Sequence, residues 1–105
     1  MNKYQIKAML DITAEIVRSN PEAKIYNVTD AVEKLARIAR SLHKRYEAQC
    51  NYQWANTESY ERRTEKIEAQ AQAIGASIGV QIGLQRDPRG WPLIIKAGSY
   101  ESRLG

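Results

Sequence analysis

His43 and Cys50, the only histidine and the only cysteine of the chain, are the first residues to weigh for chemistry. They stand seven positions apart on a stretch of helical periodicity, two turns and roughly 10 Å along the axis. A zinc ion with ligand bonds of about 2 Å cannot be shared across that gap, and a Cys–His nucleophile pair fails on the same geometry. Gly75, Gly79 and Gly83 recur every four residues but match neither the dinucleotide fingerprint nor the phosphate loop of nucleotide-binding proteins. Glu58, Glu61, Glu65 and Glu68 read as spread over the solvated face of one helix, serving solubility and helix pairing. Glycosidase-like acid–base work would need two carboxyls in a cleft, and 105 residues leave little room for one. These residues lead to the expectation of a protein that is not an enzyme and holds no metal or cofactor.

The cations carry more content. Lys34, Arg37, Arg40, Lys44 and Arg45 follow one another with no acid between Glu33 and Glu47. Arg86 and Arg89 stand at the tip of a hairpin further on. With 16 Lys and Arg against 12 Asp and Glu the net charge is +4, which slightly favours an acidic partner. Arg37, Arg40, Lys44, Arg86 and Arg89 are therefore the candidate partner-binding residues. Three readings apply to the basic helix face. It can be the wet side of an amphipathic helix, or pair with the acidic helix that follows. It can meet a partner protein. It can release counterions from a nucleic acid, with Tyr46, Tyr52 and Trp54 supplying stacking. No helix-turn-helix or other DNA-reading motif accompanies it.

The elements that position these residues follow from periodicity. Ile6, Met9, Leu10, Thr13, Ile16 and Val17 make an amphipathic stripe over residues 4–18, with Asn2 as its cap and Asn20-Pro21 as its stop. After a connector at residues 22–26, Asn27 or Thr29 caps a second helix, whose apolar arc is Val28, Ala31, Val32, Leu35, Ile38, Ala39, Leu42 and Tyr46. Polar and aromatic residues at 50–57 favour a break before a third helix that starts at Thr57. Its seam is Tyr60, Thr64, Ile67, Ala71, Ile74 and Ile78. Gly75 and Gly79 then release the chain.

A β-hairpin closes the pattern. Val80, Ile82 and Leu84 alternate on one strand, and Trp91, Leu93 and Ile95 share a face of the next. Between them Asp87-Pro88-Arg89-Gly90 fits a type I turn. Pro92 lacks a donor, which points to an edge or bulged strand. The expected architecture is α+β: three helices, the second and third an antiparallel hairpin, packed with a C-terminal two-stranded β-hairpin. Residues 1–97 form the single domain and residues 98–105 a flexible tail. An edge strand of the hairpin, or the seam of the third helix, offers a surface for a homo-oligomer. No apolar run reaches the roughly 18 residues of a membrane span. The first residues lack the apolar core of a signal peptide, and a lone cysteine forbids an internal disulfide, so a cytoplasmic location is expected.

Three segments in order carry a resemblance: Leu42-His43-Lys44-Arg45-Tyr46-Glu47-Ala48-Gln49-Cys50-Asn51, Tyr60-Glu61-Arg62-Arg63, and Gln85-Arg86-Asp87-Pro88-Arg89-Gly90-Trp91-Pro92-Leu93. Together they resemble small uncharacterised proteins of tailed bacteriophages and prophages, with a helical hairpin and a β segment ending in Asp-Pro-Arg-Gly. The likeness covers about residues 40–97 and excludes the first helix. It implies expression inside an infected or lysogenic bacterium, and it transfers no catalytic residue. The resulting expectation is a non-enzymatic phage accessory protein that binds a host or phage protein, for instance to inhibit a host enzyme or defence complex. The alternative is a nucleic-acid-binding protein using the basic face of the second helix.

Overall fold

A computed structural model describes residues 2–104. Three helices, α1 (Lys3–Ser19), α2 (Ile25–Asn51) and α3 (Glu58–Ser77), precede three strands, β1 (Gln81–Leu84), β2 (Leu93–Ala97) and β3 (Tyr100–Leu104). The strands form one antiparallel sheet in the order β1-β2-β3, and the helices cover one of its faces. The α+β class is as expected, with one strand more.

Local chemistry explains most boundaries. Asn2 caps α1 in a reciprocal box: its side chain accepts from the Gln5 N–H at 2.9 Å, and the Gln5 side chain accepts from the Asn2 N–H at 3.1 Å. The connector to α2 is shorter than expected, because α2 begins at Ile25 behind Lys24, which offers no side-chain cap. Asn27 and Thr29 are thus inside the helix, where the Thr29 hydroxyl donates back to the Ile25 carbonyl. The expected break is present: α2 ends at Asn51, residues Gln53–Asn56 make a 3-10 turn, and Thr57 accepts from the Tyr60 N–H to cap α3. Glu58 and Glu61 sit in that first turn, where they suit the positive end of the helix dipole. Gly79, at φ 76°, ends α3 in the left-handed conformation that glycine adopts without steric cost.

The core combines Ile12 and Ile16 of α1, Val28, Val32, Leu35, Ala39 and Leu42 of α2, Ala71 of α3, and Leu93 and Ile95 of β2. In α1 the buried row is Ile12, Thr13 and Ile16. Ile6 and Leu10, assigned to the stripe by spacing, are 48% and 64% exposed, because the apolar arc of α1 is wider than the surface α2 and the sheet present to it. Trp91 also departs from expectation. It precedes β2, is 49% exposed, and leaves Pro92 to enter the interior in its place.

The tail expected at residues 98–105 is, over its described part, the third strand. Gly98 and Ser99 form a two-residue loop joining the Ala97–Tyr100 pair. Gly98 has φ 62°, as the first central residue of a type II′ turn requires. Tyr100, Ser102 and Leu104 alternate with Glu101 and Arg103, and Leu104 is buried at 7% exposure opposite Leu93. In place of a tail, Tyr100–Leu104 is a strand of the sheet, held by the ladder with β2 and by the burial of Leu104.

Candidate binding groove

α2 carries Arg40, His43 and Lys44 one turn apart along one side, and the β1–β2 loop brings Arg89, Gly90 and Trp91 up against them. Together they line a hollow of about 420 Å³. The loop holds its shape through its own turn: the Gly90 N–H donates to the Asp87 carbonyl at 3.1 Å, and the Arg89 N–H to the Asp87 side chain at 2.9 Å. Below it the Gln85 N–H donates to the Pro92 carbonyl, which aligns the two strands. A second hollow of about 250 Å³ shares Arg40 and Trp91 and extends to Tyr4, Ala8 and Met9 of α1, Ala36 of α2, and Arg103 and Leu104 of β3. The two adjoin at Arg40 and Trp91 as one groove, cationic at the loop end and mostly apolar along α1, where Asn2 and Gln5 also line it.

Arg40, Lys44 and Arg89 have no carboxylate within ion-pair distance among the described residues, and His43 meets Glu47 at 3.5 Å. Of the five candidates from the sequence, these three converge. Arg37 is exposed on α2 but does not line the groove. Arg86, expected at the hairpin tip beside Arg89, is drawn off to the other side of the loop. Its Nε donates to Glu68 Oε2 at 3.0 Å and its second amino group to Glu68 Oε1 at 2.6 Å, while its third nitrogen meets Glu61 at 2.5 Å. Two carboxylates on α3 compete for its charge and win.

Those carboxylates correct a second expectation. Glu68 is 7% exposed and Glu61 is half-buried, so α3 does not present all four acids to water. The Tyr46 hydroxyl donates to Glu68 at 2.7 Å, and the Gln49 amide donates to Glu61 at 2.7 Å. Every buried polar side-chain atom among the described residues has a partner. Burial alone would raise the Glu68 carboxyl, but hydrogen bonds from Arg86 and Tyr46 and the Arg86 charge outweigh it and hold it below the ordinary glutamate range. The Tyr46 phenol is pushed up by its own burial and by Glu68. The Arg86 guanidinium is held more firmly charged by the bond to Glu68, against burial. This network clamps the start of the loop to the α2–α3 pair.

Arg45 also leaves the basic face. It folds onto α3, donating to the Thr64 hydroxyl at 2.9 Å and the Tyr60 carbonyl at 3.2 Å, with its guanidinium 4.0 Å from the Tyr60 ring centre. Tyr52 and Trp54 stack in the turn after α2, with Tyr60 edge-on to Trp54. Of the aromatics proposed for stacking, Tyr46 is buried in the network, whereas Trp91, which the sequence placed in the core, stands in the groove. Its place directly before Pro92, ahead of the strand proper, is the signal that it need not share the fate of Leu93. Neither the family models, nor the curated proteins, nor the solved structures yield a match to this chain. No helix of the described residues is long and apolar enough to cross a membrane.

Proposed function

We propose that this protein works without catalysis, binding another protein through the groove between α2, the β1–β2 loop and α1. The partner is a segment that combines acidic residues with an apolar anchor, because the groove pairs Arg40, Lys44 and Arg89 with an apolar floor and the half-exposed Trp91. The observation that carries this reading is the meeting of three cations, two from α2 and one from the β1–β2 loop and none paired among the described residues, beside that tryptophan. Groups with displaced pKa values, Tyr46, Glu68 and Arg86, belong to the clamp and do not line the groove. That separation favours binding over acid–base chemistry. With the likeness to phage proteins, the partner class is a host protein of the infected cell's cytoplasm, a host enzyme or defence complex whose activity the binding would inhibit.

The test is affinity capture from a bacterial host lysate by the intact protein and by an Arg40→Glu/Lys44→Glu variant that folds normally. The expected result is a protein retained by the first and lost with the second. Equal retention by both would remove the groove from the account. Nucleic acid is the second reading, favoured by the exposed Trp91 among cations, a stacking platform beside charge. It requires affinity for single-stranded DNA or RNA that falls steeply with salt; absent or salt-insensitive binding to both eliminates it.

A further inference from the structure

β3 is an outer strand of the sheet, and its open edge carries information. The Gln85–Pro92 bond identifies residues 85 and 92 as a hydrogen-bonded pair. Alternation along the two ladders then turns Tyr100, Ser102 and Leu104 toward β2 and leaves the N–H and C=O groups of Glu101 and Arg103 facing outward. No backbone partner from the described residues meets them. Both side chains are exposed and make no ion pair among the described residues. Like charges along an edge would deter another strand. Opposite charges two residues apart instead complement themselves across a two-fold axis.

We propose that β3 pairs antiparallel with β3 of a second copy about a two-fold axis at Ser102, joining two three-stranded sheets into one of six. In that register Glu101 opposes Arg103 of the second copy, twice by symmetry, and the outward backbone groups of these residues exchange their hydrogen bonds. Tyr100 opposes Leu104 of the second copy on the helix-covered face. Moving the axis by one residue, a slip of two along the partner strand, sets Glu101 against Glu101, or Arg103 against Arg103. Like charges directly opposite are unfavourable, so charge selects the register. The outward groups of the other edge belong to Ile82 and Leu84, which carry no charge to do so.

The experiment is sedimentation velocity across a concentration series, with amide exchange measured at both ends of it. The expected result is a mass rising from one chain to two, with the Glu101 and Arg103 amides slowed in the larger species. Glu101→Lys should weaken the dimer by at least about tenfold, and Glu101→Lys/Arg103→Glu should restore it. Arg103→Pro, which removes an outward N–H together with the guanidinium opposite Glu101 and spares the bonds to β2, should abolish it. Overturning results are a monomer at every concentration, slowing at Ile82 and Leu84 instead, or a charge swap that fails to restore what Glu101→Lys loses. Arg103 also lines the groove, so Glu101→Lys is the variant that separates the two readings. A monomeric Glu101→Lys chain that still captures its partner leaves the proposed function standing.

Discussion

Glu68 is held ionised by Arg86 and Tyr46 in a site where water reaches it poorly, and this gives the fold a particular response to acid. Its folded pKa lies below its unfolded one, so the contribution is complete above the ordinary glutamate range and is lost as pH falls through the folded value. Denaturant unfolding of the natural chain and of Glu68→Gln should therefore differ at neutral pH, and the difference should shrink steadily on acidification below that range. Replacing Arg86 with Leu leaves the carboxylate buried without its main partner. A loss of about 2 kcal/mol is expected, below the figure for a fully buried pair because the arginine is partly exposed. Equilibrium unfolding of Arg86→Leu at pH 7 measures it. The positions of Glu61 and Arg86 in the chain carried no sign of this pairing. Helical spacing alone sets Glu68 beside Glu61 and Glu65, and only the return of the chain after β1 brings a cation to it.

At the level of elements, the crossing of α3 over β1 depends on a missing side chain. A Cβ at Gly75 would lie 2.3 Å from Ile82 Cγ1 and 3.3 Å from the Val80 carbonyl. Gly75→Ala should thus destabilise by about 1–3 kcal/mol, despite the roughly 1 kcal/mol that alanine gains in a helix. Adding Ile82→Ala should make the pair less costly than the sum of the single changes, read from thermal unfolding of all three variants. The third strand makes a similar point from the other side. Leu104→Ala should cost about 2–3 kcal/mol by the same measurement, whereas a frayed tail would show no change. The strand was legible in outline: Gly98-Ser99 between Leu93–Ala97 and the alternating Tyr100–Leu104 is a hairpin signal. Its polar and charged residues hid it, since only Tyr100 and Leu104 carry much apolar surface.

For the whole molecule, the groove makes unequal demands on the cations of α2. Arg40→Glu/Lys44→Glu should lower affinity for the captured partner by at least about tenfold, while Arg37→Glu should change it little. All three substitutions are at exposed positions and should move stability by no more than about 0.5 kcal/mol. Isothermal titration with the partner, beside unfolding curves, distinguishes lost binding from lost folding. An equal loss from Arg37→Glu would mean that the net charge of α2, and not the groove, attracts the partner.

Three amphipathic helices, the break at residues 50–57, the Asp87–Gly90 turn and the pairing of β1 with β2 all follow from local rules: period, caps and turn residues act within a few positions of one another. The apolar rows of α2, from Val28 to Tyr46, likewise announced the core. Tertiary structure alone decided which charges stay free. Arg45 and Arg86 were spent on α3, while Arg40 and Lys44 of α2 were brought together with Arg89 of the β1–β2 loop. The physical reason is that a cation's fate depends on which carboxylates, carbonyls and rings lie within a few ångströms, and no regularity along the chain encodes that distance.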